Sequence, residues 1–371
     1  MPALSLQQLQ LINFRSYKRL TWDCPPGLNI IFGPNAAGKT NLLEAIGYLA
    51  LARSFRQQQD QQLITWGANS FQVRGLCHSN GEKIELVINY QQHNNKKLTI
   101  NGNGNRLIEL LGIFPAIYFG PDDLNLLKGG PAYRRHFLDR EISMGDRIYC
   151  RNLQDYRRIL FQRNLLLRAI KAGRGKEEEL EPWDTQLLVT GKAILEKRAR
   201  FLQSLAPVVA ATYRDMAGGE KLALIYRPGV ADQEEWAERL KAGREREIQA
   251  GMTLWGPQRD DFTFTLDGHE ARYFASQGQQ RAVVLALKLA EARYYREILH
   301  VMPVLLLDDV FSELDEERQG ALLELLAAAD QAFLTTTEVG LLPARLRERS
   351  HLWELTRGRE PRLTSGPAGA Q

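Results

Sequence analysis

Apolar positions change their spacing several times along this chain, and the changes divide it into blocks. Leu6 to Phe14 alternates as a strand does, Arg15-Ser16-Tyr17-Lys18 forms a polar corner, and a second strand is expected at Arg19 to Trp22. Leu28-Asn29-Ile30-Ile31-Phe32 is a short apolar run of the kind a buried strand needs. From Thr40 to Leu49 the period lengthens, and Leu42, Leu43, Ile46 and Leu49 share one helical face. Phe71 to Leu76 and Ile84 to Ile88 alternate again. Asn101-Gly102 and Asn103-Gly104 are strong hairpin dipeptides, so an antiparallel patch is predicted here. Pro115 to Phe119 is a further buried strand, ending at Gly120-Pro121-Asp122-Asp123.

Beyond this the pattern turns helical. Tyr133 to Lys171 reads as one long helix whose polar face carries Arg134, Arg135, Arg140, Arg147, Arg151, Arg157, Arg158, Arg163 and Arg168. A loop at Gly173 to Glu179 precedes a second helix, Trp183 to Tyr213. A strand from Lys221 to Tyr226 and a polar helix from Gln233 to Gly251 follow. Phe262 to Leu266 and Glu270 to Phe274 suggest a hairpin around Asp267-Gly268. It leads into a long helix near Ser276 whose buried side holds Val284, Leu285, Leu287, Leu289 and Ala290. Met302 to Asp309 is an apolar strand closed by two carboxylates. Ser312-Glu313-Leu314-Asp315, a helix to Asp330, and a strand ending in Thr335-Thr336-Thr337 come after it. The predicted organisation is α/β: a head from 1–130 and 256–357, an inserted helical lobe at 131–255, and a disordered tail at 358–371.

Length and composition narrow the class without deciding it. The 371 residues suit two domains, or one with a large insertion, and 44% hydrophobic with 25% charged residues is ordinary for a globular chain. A net charge of +4 permits a nucleic-acid partner but does not demand one. An arginine-rich helix face is ordinarily solvated; its functional alternative is a surface that tracks a DNA backbone. Cys24, Cys77 and Cys150 are odd in number and far apart, so no disulfide framework or metal clip is indicated. Met1 to Leu11 lacks a signal-peptide pattern and no run has membrane-spanning length, so a cytoplasmic address is expected.

The chemistry lies in Gly33-Pro34-Asn35-Ala36-Ala37-Gly38-Lys39-Thr40, which has the form G-x-x-x-x-G-K-[ST] between a strand and a helix. A glycine-rich turn feeding a helix N-terminus points backbone N–H groups and the positive end of the helix dipole at one spot. Lys39 would reach the β- and γ-phosphates of a nucleoside triphosphate, and the Thr40 hydroxyl would join a Mg²⁺ shell. Tyr17, just ahead of the loop, could stack on a base or simply pack. Asp308, at the end of its strand, suits the metal. Ser276 and Gly278, opening the long helix, offer a second anion-ready terminus.

The order of these motifs resembles the ABC-type ATPases, in the branch that contains the SMC proteins and the RecF family. The likeness to the RecF family spans nearly the whole chain. It is carried by Asn13-Phe14-Arg15-Ser16-Tyr17, Gly33 to Asn41, Lys128-Gly129-Gly130-Pro131, Gly256-Pro257-Gln258-Arg259-Asp260-Asp261 and Phe274-Ala275-Ser276-Gln277-Gly278-Gln279-Gln280-Arg281. The resemblance implies an ATPase head whose two nucleotide sites close across an ATP-dependent homodimer. Lys39, Thr40 and Asn41 would serve one subunit's ATP and Mg²⁺, with Ser276, Gly278 and Gln279 reaching the partner's γ-phosphate. Asp308 would act on Mg²⁺ and Asp309 on the attacking water. It further implies weak, DNA-stimulated hydrolysis and a role in recombinational repair and replication: binding duplex DNA near single-strand gaps and, with RecR and RecO, helping to load RecA. Several positions depart from the wider class. Asp122 and Asp123 stand where a glutamine is usual, and Thr337 replaces the switch histidine; His136 and Gln258 also differ from many relatives. The competing readings are an SMC-like structural clamp, an ATP-linked nuclease, a small-substrate kinase and a membrane-transporter subunit. The chain shows no metal-ligating cluster for the nuclease, no acceptor loop for the kinase, and neither Leu-Ser-Gly-Gly-Gln nor a switch histidine for the transporter.

Overall fold

The computed structural model describes residues 4–56, 59–79, 81–94, 96–217, 219–311, 314–357 and 359–367. They form two compact units, Met1–Asp123 with Val284–Gln371, and Leu124–Val283. The sequence boundaries at 131 and 255 both fall inside the second unit.

The first unit contains two sheets. One is antiparallel, in the order β2-β1-β4-β5-β6-β7, from β1 (Ser5–Phe14), β2 (Tyr17–Asp23), β4 (Ser70–Ser79), β5 (Glu82–Gln91), β6 (Lys97–Ile100) and β7 (Asn103–Asn105). Its last turn is Asn101-Gly102, both at positive φ, as that dipeptide predicts, whereas Asn103-Gly104 lies in β7 itself. The other sheet runs β15-β14-β3-β13-β12-β8, from β3 (Gly27–Phe32), β8 (Ala116–Phe119), β12 (Val304–Asp308), β13 (Gln331–Thr336), β14 (Ser350–Glu354) and β15 (Arg362–Ser365). All its pairings are parallel except β14 with β15. β15 falls within the stretch expected to be disordered, so that expectation is corrected for residues 362–365.

Helix α1 (Lys39–Leu51) touches β4 of the first sheet and β8 and β12 of the second. It is therefore buried nearly all round, not on the single face its spacing predicts. Tyr48 joins Phe14 and Phe71 in an edge-on aromatic group, and even Glu44 is fully buried. That carboxylate is neutralised by a two-pronged contact from Arg15, at 2.7 and 2.9 Å. In β4, Gly75 makes room for the helix: a Cβ there would lie 2.5 Å from Leu49.

The second unit holds α2 (Asn125–Lys128), α3 (Pro131–Gly145), α4 (Arg147–Lys171), α5 (Glu181–Ala217), α6 (Gln233–Ala242), α7 (Arg244–Ala250) and α8 (Ala271–Phe274). Its sheet is β11-β10-β9, from β9 (Leu222–Arg227), β10 (Asp261–Leu266) and β11 (His269–Glu270). Helix α9 (Gln277–Leu299) starts in this unit and continues in the first, where α10 (Glu316–Ala328) and α11 (Ala344–Glu348) also lie.

Three predicted elements differ. The single helix Tyr133–Lys171 breaks at Asp146, which adopts an extended backbone and caps α4 by accepting from the Tyr149 N–H at 2.9 Å. The polar helix breaks at Gly243, where a Cβ would lie 2.0 Å from the Trp255 ring. Residues 271–274 form a helical turn, and the principal partner of β10 is β9.

The arginine face is corrected as well. Arg134 and Arg163 are buried, and a third buried guanidinium, Arg198, comes from α5. Arg163 donates to Asp184, Glu247 and Thr253 at 2.6 to 2.8 Å. Arg134 clasps Asp261 and the carbonyls of Leu126 and Gly129. Arg198 donates to Asp139, Asp260 and the Pro257 carbonyl. Asp260, fully buried, also accepts from the Tyr226 hydroxyl and the Gly229 N–H, both at 2.8 Å. Burial pushes its carboxyl pKa up even though Arg198 pulls the other way.

Asp260→Ala would leave the buried Arg198 short of a partner. Urea unfolding followed by tryptophan fluorescence should show a loss of about 3–5 kcal/mol. A loss below about 1 kcal/mol, the size of a surface pair, would contradict the hub role.

Candidate nucleotide and metal site

The register of the parallel sheet brings the catalytic candidates to one edge. Phe32 of β3 pairs with Thr336 of β13, and Thr335 pairs with Asp308 of β12, so three strands finish together. The crevice outside the carboxyl ends of parallel strands is where such sheets hold ligands. β12 is buried at every position, which explains its unbroken run of apolar residues.

From β3 the chain enters the phosphate loop. Gly33 has φ +155° and lies so close to the next strand's end that a Cβ would sit 2.2 Å from the Leu355 carbonyl oxygen. Gly38 has φ +108°, and a Cβ there would meet the Tyr17 hydroxyl at 2.8 Å. Ala36 takes a left-handed conformation between them. Helix α1 then starts at Lys39, and its first N–H groups have no acceptor within the helix.

Lys39 is buried, and its ammonium donates to the carbonyls of Gly33 at 2.7 Å and Pro34 at 3.1 Å. Burial lowers its pKa, and the neighbouring Asp309 and Asp308 oppose that shift. Asn41 reaches back to Ser16 at 2.9 Å. Of the two readings open for Tyr17, the packing one matches its surroundings: it is only 3% exposed, and its hydroxyl donates to the Gly38 carbonyl at 3.1 Å.

Asp308 is held by three hydroxyl donors. Thr40 donates to Oδ1 at 2.9 Å and Thr335 to the same oxygen at 2.7 Å, while Tyr118 donates to Oδ2 at 3.2 Å. Burial and then the Asp308 charge push the Tyr118 pKa up, so this hydroxyl keeps its proton. Asp309 follows in a left-handed conformation with φ 53°. Its N–H donates to the Thr335 carbonyl at 3.2 Å and hydroxyl at 3.1 Å. One threonine therefore bonds both acids. Thr335 and Tyr118 were not singled out in the sequence; the available signal was a hydroxyl residue at the carboxyl end of each strand flanking β12.

Mg²⁺ prefers hard oxygen donors and is commonly bound through one or two protein oxygens together with phosphates and water. The adjacent Thr40 hydroxyl and Asp308 carboxylate fit that requirement. Asp123 of the departing loop is turned inward, accepting from the Gly120 N–H at 2.9 Å. Thr337 lies just past the end of β13 and is half-buried. Ser312 and Glu313 lie outside the described residues.

The second group of candidates belongs to the second unit. The Ser276 hydroxyl accepts from the Gln279 N–H at 3.2 Å, and the Gln279 side-chain oxygen accepts from the Ser276 N–H at 2.7 Å. This is a reciprocal capping box at the start of α9. Gly278 falls between them in the first turn. Gln258 accepts from the Tyr156 hydroxyl and donates to the Trp255 carbonyl, an internal structural position.

Thr335→Val removes the bonds that hydroxyl makes with Asp308, the Asp309 N–H and the Leu307 carbonyl, at nearly constant volume. Titrating Mg²⁺ against a fluorescent ATP analogue should show about tenfold weaker metal dependence, the usual loss for an outer-shell partner. Affinity for the analogue without metal should stay the same, and Thr335→Ser should restore the metal dependence. Identical Mg²⁺ midpoints for wild type and Thr335→Val would contradict the assignment.

The family described as RecF/RecN/SMC N terminal domain matches residues 5–345. A DNA replication and repair protein RecF from Moorella thermoacetica is 91% identical over the full length of both chains. One from Desulforamulus reducens is 37% identical, over 96% of this chain and 98% of the relative. A solved recombination mediator protein RecF with ATP, described as part of the RecFOR pathway, superposes with a TM-score of 0.91 at 32% identity, covering 98% of each chain. The Smc head domain of Pyrococcus furiosus shares the fold at a TM-score of 0.56 and 17% identity, over 98% of this chain and 97% of that one. With the phosphate loop, the Asp308 strand and the capped signature helix in the order the sequence gives them, this chain belongs to the RecF family of ABC-type, SMC-like proteins.

Proposed function

We propose that the chain is an ATP-gated DNA clamp of recombinational repair and replication restart. The observation that carries this reading is the 2.9 Å contact between Thr40 and Asp308, which joins the phosphate loop to the acidic strand end. A hydroxyl and a carboxylate so placed would hold a Mg²⁺ ion beside the phosphates of ATP. The solved RecF with ATP supports the choice of nucleotide.

On this reading the loop N–H groups and Lys39 bind the phosphates, Lys39 leaving the carbonyls of Gly33 and Pro34. When bound, Mg²⁺ supplies charge neutralisation at the γ-phosphate. Asp308 is kept in orientation by Thr335 and Tyr118. Asp309 orients the attacking water, which displaces ADP from the γ-phosphoryl group and yields inorganic phosphate. A second copy donates Ser276 and Gly278 to the same γ-phosphate, so ATP binding and dimerisation form one linked equilibrium. Slow hydrolysis resets the clamp. Its partners are duplex DNA beside a single-strand gap, RecR with RecO, and through them RecA.

Sedimentation with a non-hydrolysable ATP analogue and a short gapped duplex tests this directly. Wild type should dimerise, while Lys39→Met should stay monomeric with nucleotide affinity lowered at least about tenfold, as loss of a charge-assisted phosphate contact requires. A wild-type chain that remains monomeric at saturation would defeat the proposal.

DNA binding should depend on lysine and arginine meeting phosphates, with no base-edge code. Its affinity should fall by about 10³-fold or more between 50 and 200 mM salt if six or more phosphates are contacted. A flat dependence would point to another mode of binding.

A further inference from the structure

The capping box at Ser276 is locked from outside by a carboxylate. The Gln279 side-chain amide, whose oxygen accepts from the Ser276 N–H, donates through its nitrogen to Glu220 at 2.6 Å. Glu220 lies in the connection between α5 and β9 and is half-buried. Its other oxygen accepts a long bond, 3.4 Å, from the buried Tyr213 hydroxyl of α5. The next residue is clamped in turn: the Lys221 N–H donates to the Asp267 carboxylate at 2.9 Å, and the Asp267 N–H to the Lys221 carbonyl at 3.0 Å.

A glutamine amide can present either end to its surroundings. A carboxylate only accepts, so Glu220 admits the NH₂ end alone and turns the oxygen toward Ser276. Ser276 then receives the Gln279 N–H on its hydroxyl oxygen and keeps its own hydroxyl proton available to donate. The box occupies the N–H groups of Ser276 and Gln279 and leaves those of Gln277 and Gly278 as the open donors of the first turn.

We infer that Glu220 is a positioning residue for the nucleotide-dependent contact between two copies: it fixes the Gln279 amide, and through it the Ser276 hydroxyl, in the orientation that receives a γ-phosphate. This deepens the proposed function and rests on it, since the phosphate belongs to the second copy. The relay Tyr213–Glu220–Gln279–Ser276 lies entirely within the second unit, so it joins the helical lobe to the signature without involving the chain's own phosphate loop.

The test compares wild type, Glu220→Ala and Glu220→Gln with the non-hydrolysable ATP analogue, reading the dimer dissociation constant by sedimentation and nucleotide affinity at a concentration where the protein is monomeric. Glu220→Ala should weaken the dimer about tenfold, the scale of one charge-assisted hydrogen bond. Nucleotide affinity of the monomer and the thermal midpoint should be unchanged. Glu220→Gln keeps a carbonyl acceptor but can also present its NH₂ end, so it should restore dimerisation only in part, to about threefold weaker than wild type. In steady-state hydrolysis the alanine variant should lose kcat at high protein dilution and regain it as protein concentration rises. Equal dimerisation of wild type and Glu220→Ala would overturn this inference and leave the clamp intact. A lower thermal midpoint or lost monomer binding would mark the contact as merely structural and overturn it too. A wild-type chain that never dimerises would remove both.

Discussion

The site depends on one buried carboxylate and the register that delivers it. Asp308 ends a strand hidden on both faces, and an ionised carboxylate there is costly unless its oxygens are engaged. Thr40, Thr335 and Tyr118 engage them. Two of these donors stand on the strands flanking β12, so only the parallel pairing of β8, β12 and β13 can assemble them. A one-residue slip of β13 would turn Thr335 to the other face and leave Asp308 with Thr40 and Tyr118 only. Tyr118 is itself fixed by stacking on Phe55 at 3.6 Å between ring centres. The carboxylate is therefore oriented by the chain's own hydroxyls.

The second unit solves a different problem with the same physics. Arg163 and Arg198 sit at the centre of helical packing where apolar side chains are the rule, each ringed by carboxylates from distant parts of the chain. Buried ion pairs add little net stability, because desolvation offsets most of the attraction, but breaking one is expensive. Their effect is to allow one arrangement of α3, α4, α5 and the strands beside them. Asp260 is bonded to α5 through Arg198 and to β9 through Tyr226, and it immediately precedes β10. The hairpin that follows leads to Ser276, so the segment that carries the signature is anchored at its start through Asp260.

What could be read from the sequence follows from how local each signal is. The phosphate loop is written in eight consecutive residues, and the run Val304 to Asp308 announces both burial and charge, so both were legible. The sign of an arginine is equally legible, but its surroundings are not. Arg163 meets Glu247 across 84 positions and Arg198 meets Asp260 across 62, and periodicity reports only which helical face a residue occupies. The break at Asp146 was in principle visible, since Gly145-Asp146 pairs a helix stop with a cap, yet the apolar spacing continued across it. Tyr17 could be placed near the loop but not given an orientation, because its burial depends on the antiparallel sheet. Arg362–Ser365 lacks an apolar face and takes its order from pairing with β14 alone.

Three side chains that the proposed function places at the nucleotide and its metal share a property no motif displays: each already has a partner inside the chain. Lys39 is bonded to Gly33 and Pro34, Thr40 to Asp308, and Ser276 to Gln279. None of them waits as an unsatisfied buried group, which would destabilise the empty state by about 1–3 kcal/mol apiece. Binding is then an exchange of one set of hydrogen bonds for a stronger, charge-assisted set, and its free energy is the difference between them. On the proposed reading, the same exchange would let hydrolysis open the clamp. On that reading, once the γ-phosphate leaves, Lys39 and Thr40 have their own acceptors within reach, so no charge is stranded. A switch built this way needs no spring; it needs two nearly balanced sets of partners, and the nucleotide decides between them.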